Sequence, residues 1–269
     1  MQIGGMALRD GVLFLSENHW AAAVRRPDGS LDVQSGTRTR VGNKGPLGTV
    51  PFVRGVTRLF DSFSVLPTVR RRLGPVLPQE DPRLLLAAGA SSLVGTALRA
   101  SKSGSPLVKE AMVALVTLAP ALLALRDSRL AGFHGAEHKS VDAVERHTDA
   151  ASAHREHDRC GTMLVAPLLA TTALTNLALR RAGAERNPVA LLLGSLVSIG
   201  GAVEMFSWMG RHKGHPLAEL LRRPGLQLQR MITTAEPSED QLEVAQAAMQ
   251  ELLRLEDAQG EVQAAPAAV

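Results

Sequence analysis

The sequence predicts a mainly α-helical protein, with a four-helix membrane bundle, a small N-terminal β-hairpin region and a C-terminal amphipathic helix. Hydrophobic residues make up 45% of the 269-residue chain, aromatic residues only 3%, and tyrosine is absent, as in helices rich in Ala, Leu and Val. The mean hydropathy is close to zero, yet four long apolar runs stand out. We therefore divide the chain into a β-rich region (1–50), an amphipathic helix with a linker (51–83), the bundle (84–210) and a tail (211–269).

The N-terminal region carries strand and turn signals. Short apolar runs at residues 11–15 and 20–24 are followed by Pro27-Asp28-Gly29 and a third apolar stretch at 31–33. Proline presets a turn and glycine accepts positive φ, so a hairpin is predicted there. Residues 35–50 are rich in Gly, Thr, Arg and Lys and are expected to form a loop.

A helix is predicted from Pro51, with apolar residues along one side and a basic end at Arg70-Arg71-Arg72. Such a helix can lie in a membrane interface with its arginines at headgroup level. Packing on a protein core explains the pattern equally well. Residues 73–82 contain three prolines and read as a linker.

The four apolar runs cover residues 84–98, 111–125, 161–179 and 188–210. A bilayer core of about 30 Å needs about 20 helical residues, so the first two runs are short and the last two are long enough. Helices of a soluble bundle show polar faces at 3.6-residue spacing, and the last two runs show almost none. We therefore expect the runs to insert into the cell membrane.

Four spans place the amino terminus, the 126–160 segment and the carboxyl terminus on one side. Basic residues favour the cytoplasm for that side: Arg70, Arg71, Arg72, Arg83, Arg126, Arg129, Lys139, Arg211 and Lys213. A smaller basic group would then lie outside: Arg99, Lys102, Arg180, Arg181 and Arg186. A single cysteine fits a reducing compartment, and the start of the chain shows no secretory signal.

A histidine-rich motif lies between the second and third runs. His134, Glu137 and His138 have the spacing H-x-x-E-H, which on a helix brings the three side chains to one face. In the inverted zinc motif of this form, two neutral imidazoles bind the metal and the carboxylate handles a proton. A solvated helix face is the ordinary alternative for so short a pattern.

The lone cysteine strengthens the metal interpretation. His157 and Cys160, at i and i+3, offer a second nitrogen and sulfur pair, so four ligands of the kind that zinc prefers can converge. Asp142, one turn after His138, is expected to hold that imidazole through a hydrogen bond. Glu145 lies about 10 Å beyond His138 along the helix, too far to share the ion.

Two further residues complete the predicted site. Lys139 follows the motif directly, and Glu204 stands inside the fourth apolar run. A carboxylate is costly in hydrocarbon, so Glu204 should face the bundle or a polar cavity. A functional role for it and a purely structural hydrogen bond are both open.

These motifs carry a resemblance. The strings His134-Gly-Ala-Glu-His-Lys139 and His157-Asp-Arg-Cys-Gly-Thr162 resemble signatures of the YqhQ-like bacterial family, membrane proteins of unassigned function described as predicted metal-dependent enzymes. Strings at 3–12, 23–29, 224–230, 233–237 and 240–244 are similar to that family in the same order. The resemblance therefore covers nearly the whole chain. One departure is Asp10, where the family has a glutamate.

The leading functional hypothesis is a membrane-associated metalloenzyme, most simply a zinc hydrolase. His134 and His138 would bind Zn²⁺ with His157 or Cys160 as third ligand and water in the open position, and Glu137 would take the proton. The rival is a non-catalytic membrane scaffold whose His₃Cys site is structural. Three protein ligands favour the enzyme and four favour the scaffold.

The expected partners follow from charge and pattern. The net charge is +4, but the arginines flank apolar runs and are not interleaved with aromatic residues, which favours lipid headgroups over nucleic acid. In the tail, Ser238 and Gln241 form a capping box ahead of an apolar helical stripe. That C-terminal helix is a candidate surface for a protein partner. The substrate is not indicated by the sequence.

Overall fold

The computed structural model describes residues 3–39, 49–101 and 104–264. The amino-terminal part is a sheet of four antiparallel strands in sequence order: β1 Gly4–Leu8, β2 Gly11–Leu15, β3 His19–Arg25 and β4 Leu31–Thr37. Gly29 has a φ of 84° in the β3–β4 turn, and the Ser30 amide donates to Asp28 Oδ1 at 3.0 Å. The predicted N-terminal hairpin is confirmed and is part of this larger meander.

The predicted mainly helical character is also confirmed. Nine α-helices are found in the described ranges: α1 Val53–Phe63, α2 Leu66–Leu73, α3 Pro82–Ala100, α4 Pro106–Leu125, α5 Ser128–Arg146, α6 Val165–Arg181, α7 Pro188–Arg211, α8 Pro216–Leu228 and α9 Glu239–Ala264. One-turn 3₁₀ helices lie at Pro78–Glu80 and Gly161–Leu164, and a π-helical turn lies at Gln229–Thr233. Most of the loop expected at 35–50 falls outside the described residues, although its start belongs to β4.

The sheet is buried on both faces, which explains why β2 is apolar throughout. Successive strand residues point to opposite faces. Val12 and Phe14 join one core with α5 and α9, whereas Leu13 and Leu15 join a second core with α2. The sheet therefore forms the middle layer between helices.

The predicted C-terminal helix forms and begins at its capping box. The Ser238 amide donates to Gln241 Oε1 at 3.1 Å, and the Gln241 amide donates to Ser238 Oγ at 3.3 Å. Its apolar stripe, including Val244, Met249 and Leu252, is buried against the sheet and α5. The two ends of the described chain thus pack together, and α5 lies beside α9 on the same face of the sheet.

The single helix predicted from Pro51 to Arg72 is wrong, because the structure divides it into α1 and α2 at Ser64 and Val65. Pro67 in the first turn of α2 has no amide hydrogen, so it cannot continue the hydrogen-bond ladder of α1. α1 packs on α7, where a Cβ on Gly55 would lie 3.2 Å from the Gly200 carbonyl oxygen. α2 instead covers the sheet.

The four apolar runs form two helical hairpins, α3 with α4 and α6 with α7. In the described residues, two segments are long and apolar enough to cross a membrane, Gly161–Arg181 and Pro188–Arg211. The predicted four spans are therefore not confirmed. α3 carries Arg83 and Arg99 at its ends and polar residues such as Ser91 within it, which lowers its hydropathy.

Candidate metal centre

Helix α5 presents the two motif histidines. Asp127 caps the helix by accepting from the Arg129 amide at 2.9 Å. Because α5 is enclosed by the sheet, α9 and the 233–237 segment, His134 and His138 are 8% and 2% exposed. The H-x-x-E-H motif therefore lies on one helix, as predicted. Its two histidines are buried, which excludes the alternative of a solvated helix face.

Backbone carbonyls fix the tautomer of both rings. His134 Nδ1 lies 2.6 Å from the Thr233 carbonyl oxygen, and His138 Nδ1 lies 2.5 Å from that of Arg155. A carbonyl only accepts, so each Nδ1 carries the hydrogen and each Nε2 keeps a free lone pair. Burial lowers the pKa of His138, which keeps this ring neutral at neutral pH. Metal-bound histidines are commonly oriented in this way.

The third donor is Cys160. Its Sγ lies 3.3 Å from His134 Nε2, and one ligand atom from each of His134, His138 and Cys160 lies within 4.8 Å of the other two. Tetrahedral ligands at about 2.0–2.3 Å from zinc are about 3.3–3.8 Å apart, close to this spacing. His138 Nε2 is buried and has no hydrogen-bond partner in the described residues. The three donors therefore fit a divalent metal.

Gln229 holds the turn that carries Cys160. This glutamine is fully buried, accepts from the His157 amide at 2.8 Å, and donates to the His157 carbonyl at 3.1 Å and to Thr162 Oγ1 at 2.8 Å. It begins the π-helical turn that also places the Thr233 carbonyl on His134. Such turns are frequent at functional sites. Sequence reasoning missed Gln229, although it falls in a string, 224–230, that resembles the family.

The 233–237 segment crosses α5 directly over the motif. The Ala235 amide donates to the Ala131 carbonyl at 2.9 Å, and a Cβ on Gly135 would lie 2.0 Å from the Ala235 carbonyl oxygen. Gly135 is therefore required for this close crossing. Lys139, a predicted supporting residue, is buried and forms an ion pair with Glu236. It anchors the segment that orients His134.

Glu137 is buried beside the three donors. In the described residues, its carboxylate oxygens are not among the ligand atoms that converge. Burial raises the pKa of its carboxyl to about 7. The carboxyl lies against β1, where a Cβ on Gly5 would be 2.5 Å from Glu137 Oε1. Glycine in the opening Gly4-Gly5 pair thus leaves room for this side chain.

The second predicted ligand pair does not form as expected. Residues 147–160 are turns and irregular structure rather than helix, so His157 and Cys160 do not share a helical face. His157 Nδ1 accepts from the Arg159 amide at 3.3 Å, and His157 Nε2 lies 3.4 Å from Glu145 Oε2. Burial lowers the pKa of His157. The ring centroid of His157 is only 5.9 Å from that of His138. In this structure, however, its ring nitrogens do not converge with the donor atoms of His134, His138 and Cys160.

Asp142 and Glu145 brace the loop around the site. The hydrogen bond predicted from Asp142 to His138 is wrong, because Asp142 accepts from the His154 amide at 3.0 Å and from Arg146 Nε at 2.7 Å. Burial raises its pKa, but these hydrogen bonds outweigh it, and the net pKa is lowered. Glu145 forms an ion pair with Arg159, next to Cys160. Asp142 thus acts indirectly, by fixing the loop whose Arg155 carbonyl reaches His138.

Glu204 belongs to a separate contact. Its carboxylate makes a two-point ion pair with Arg54, with Oε1 to Nε at 2.6 Å and Oε2 to Nη2 at 2.5 Å. The pair joins α1 to α7. Glu204 is predicted to face the bundle or a polar cavity, and in the structure it faces the guanidinium of Arg54 on α1. The structure does not place it with the three metal donors.

Comparison with known proteins gives a family without an assigned activity. A family model described as "Protein of unknown function (DUF1385)" matches residues 111–255, a range that contains the three donors and Gln229. The chain is also 27% identical over 305 residues to the "Uncharacterized protein YqhQ" of Bacillus subtilis (strain 168), covering 94% of this chain and 92% of that protein. No solved structure matches the chain.

Proposed function

This chain belongs to the DUF1385 family of proteins of unknown function, and we propose that it is a membrane-associated metal-dependent enzyme, most simply a zinc hydrolase. The observation that carries the proposal is the convergence of His134, His138 and Cys160, each with one ligand atom within 4.8 Å of the other two. In the part of the chain that the structure describes, the buried His138 Nε2 has no partner that meets hydrogen-bond geometry. A buried nitrogen without a partner is costly unless something binds it. A metal ion satisfies all three donors at once.

The donor set favours zinc over harder metals. Two neutral imidazoles and one thiolate suit zinc, whereas magnesium and calcium prefer oxygen ligands. Catalytic zinc sites commonly have three protein ligands and an open fourth position, whereas structural sites have four. The three donors that converge in the described residues support the catalytic class.

Glu137 is the proposed proton acceptor. A metal in the site supplies Lewis-acid activation of the reacting groups. As water adds to a carbonyl or phosphoryl group of the substrate, the Glu137 carboxylate takes the proton and returns it to the leaving group. In the metal-free protein, burial raises the pKa of this carboxyl to about 7, and a raised pKa is typical of carboxyl groups that both accept and donate a proton near neutral pH.

The second candidate is a membrane scaffold with a closed structural site. It rests on the 5.9 Å ring separation of His138 and His157, since a rotation of the His157 side chain would supply a fourth ligand. The hydrogen bonds of its ring nitrogens to Arg159 and Glu145 oppose that rotation. The enzyme is therefore the better-supported function.

Membrane association is supported by the surface of the bundle. Leucines on α3, α4, α6 and α7 are largely exposed, among them Leu86, Leu115, Leu174 and Leu192, and an aqueous surface rarely carries so many. α3 and α4 have 19 and 20 residues, about 28–30 Å of helix, which matches a bilayer core. We propose four spans with both termini and the 126–160 segment in the cytoplasm.

Metal analysis of detergent-purified variants tests the proposal. His134→Ala, His138→Ala and Cys160→Ser should each lose zinc, because each removes one of three ligands. Glu137→Gln should retain zinc and lose hydrolytic activity, because the amide keeps the shape but cannot take a proton. Retention of zinc by the ligand variants, at wild-type stoichiometry, would refute the site.

A further inference from the structure

Helix α8 has one buried face and one exposed apolar face. Ala218, Arg222 and Gly225 are buried. About 130° around the helix from this buried face, four residues lie within an arc of about 80° at 3.6 residues per turn. We call them the α8 stripe: the exposed Leu217, Leu220 and Pro224 and the half-buried Leu228. Leu217 and Leu220 are 50% and 58% exposed.

Helix α8 contacts the ends of α6 and α7, the helices of the two candidate membrane spans. Arg222 Nη2 donates to the Met209 carbonyl, in the last turn of α7, at 3.3 Å. A Cβ on Gly225 would lie 2.7 Å from Met163 Sδ, in the 3₁₀ turn just before α6. α8 thus lies across the ends of both candidate spans, where headgroups would be found.

An aromatic residue, Trp208, lies near the same end of α7 that α8 contacts. Trp208 precedes Met209 directly and stacks on His212, with ring centroids 4.9 Å apart. Tryptophan concentrates at the boundary between hydrocarbon and water, because its ring is apolar and its N–H is polar. α8 is therefore expected at the membrane surface rather than within the hydrocarbon.

Basic residues border the α8 stripe. Arg223 and the nearby Arg230 are exposed on one side of it, and Arg211 and Lys213 stand just before the helix. Arg230 pairs with Glu156 at 3.4 Å and Lys213 with Asp158 at 3.3 Å, while no ion pair of Arg223 occurs in the described residues. An apolar face beside arginines is typical of helices that lie on anionic lipid.

We propose that the α8 stripe lies on a bilayer surface containing anionic lipid. The leucines enter the headgroup boundary and the flanking arginines bind lipid phosphates. The charge beside the stripe and its place at the ends of α6 and α7 favour lipid over a protein partner or a second copy of the chain.

This contact reaches the metal centre through the inner face of α8. The helix runs directly into the π-helical turn, where Gln229 holds His157 and Thr162 on either side of Cys160. Lipid contact would therefore help to order the third ligand. This coupling of lipid contact to the third ligand rests on the proposed function.

Photo-crosslinking in the full-length protein tests the docking. The photo-reactive amino acid p-benzoylphenylalanine replaces Leu220, and in a control it replaces Val33, a 37% exposed residue of β4. In vesicles of phosphatidylcholine with phosphatidylglycerol as the minor component, position 220 should give phosphatidylglycerol adducts and position 33 should not. Adducts with protein, or no lipid adduct above the control, would overturn the proposal.

A zinc titration separates this proposal from the proposed function. In the same vesicles Leu220→Glu should weaken zinc binding about tenfold, as loss of support around a ligand commonly does, while Val33→Glu should not. Lipid adducts in a wild-type protein that binds no zinc would reject the metal site and leave the docking intact. Zinc binding without lipid adducts would reject the docking alone.

Discussion

Replacing Gln229 by methionine should weaken metal binding without changing any ligand. Methionine keeps the length and volume of the side chain but removes three hydrogen bonds, two to the backbone of His157 and one to Thr162. At about 1 kcal/mol of net stabilisation each, their loss costs about 3 kcal/mol. If that energy holds the Cys160 turn in place, zinc affinity falls at most about 100-fold, since 1.4 kcal/mol corresponds to about tenfold.

Competition between the purified protein and a fluorescent zinc chelator measures this change. Gln227→Ala is the matched control, because Gln227 is exposed on the outer side of the same helix and its loss should cost less than about 0.5 kcal/mol. Equal zinc affinity in Gln229→Met, Gln227→Ala and wild type would show that Gln229 does not position Cys160.

Three further predictions concern the neighbours of the metal donors. Gly5→Ala should destabilise the protein by about 1–3 kcal/mol through its clash with Glu137, whereas Gly4→Ala, whose Cβ meets nothing within 4 Å, should be nearly neutral; equal melting temperatures would contradict this. The metal-free protein should lose about 3 kcal/mol of stability as pH rises from about 4.5 to 7, because the raised pKa of Glu137 lets the folded state hold a proton that the unfolded state releases. Glu137→Gln should remove this contribution, so an unchanged difference between wild type and variant across denaturation curves in that pH range would refute it. His157→Ala should keep zinc at wild-type stoichiometry, and loss of the metal in elemental analysis would restore His157 as a ligand.

The helices and the sheet were predictable where the sequence pattern is local. The Pro27-Asp28-Gly29 turn and the Ser238/Gln241 cap act within a few residues, and both form as predicted. The packing of α9 on the sheet joins residues more than 200 positions apart, and no local pattern specifies such a contact. Pro67 indicates the break between α1 and α2. The continuous apolar side of the segment that begins at Pro51 instead indicates a single helix.

The candidate site was likewise predictable only where the sequence pattern is local. The spacing of His134, Glu137 and His138 places them on one helix, and the sole cysteine reaches them as expected. His157 stays a prediction as a ligand, because its i, i+3 spacing to Cys160 indicates a shared face only in a helix and the chain there is irregular. The carbonyls of Thr233 and Arg155, which orient the rings, have no sequence signature, because every residue carries a carbonyl.

X-ray absorption spectroscopy of the zinc-loaded, detergent-purified protein identifies the atoms bound to the metal. For a site formed by His134, His138 and Cys160, we expect a first shell of two nitrogens at about 2.0–2.1 Å and one sulfur at about 2.3 Å, with one further light atom that is not histidine. The sulfur should disappear in Cys160→Ser, and the imidazole count should be unchanged in His157→Ala. A shell without sulfur, or one with three imidazoles, would contradict a site formed by His134, His138 and Cys160.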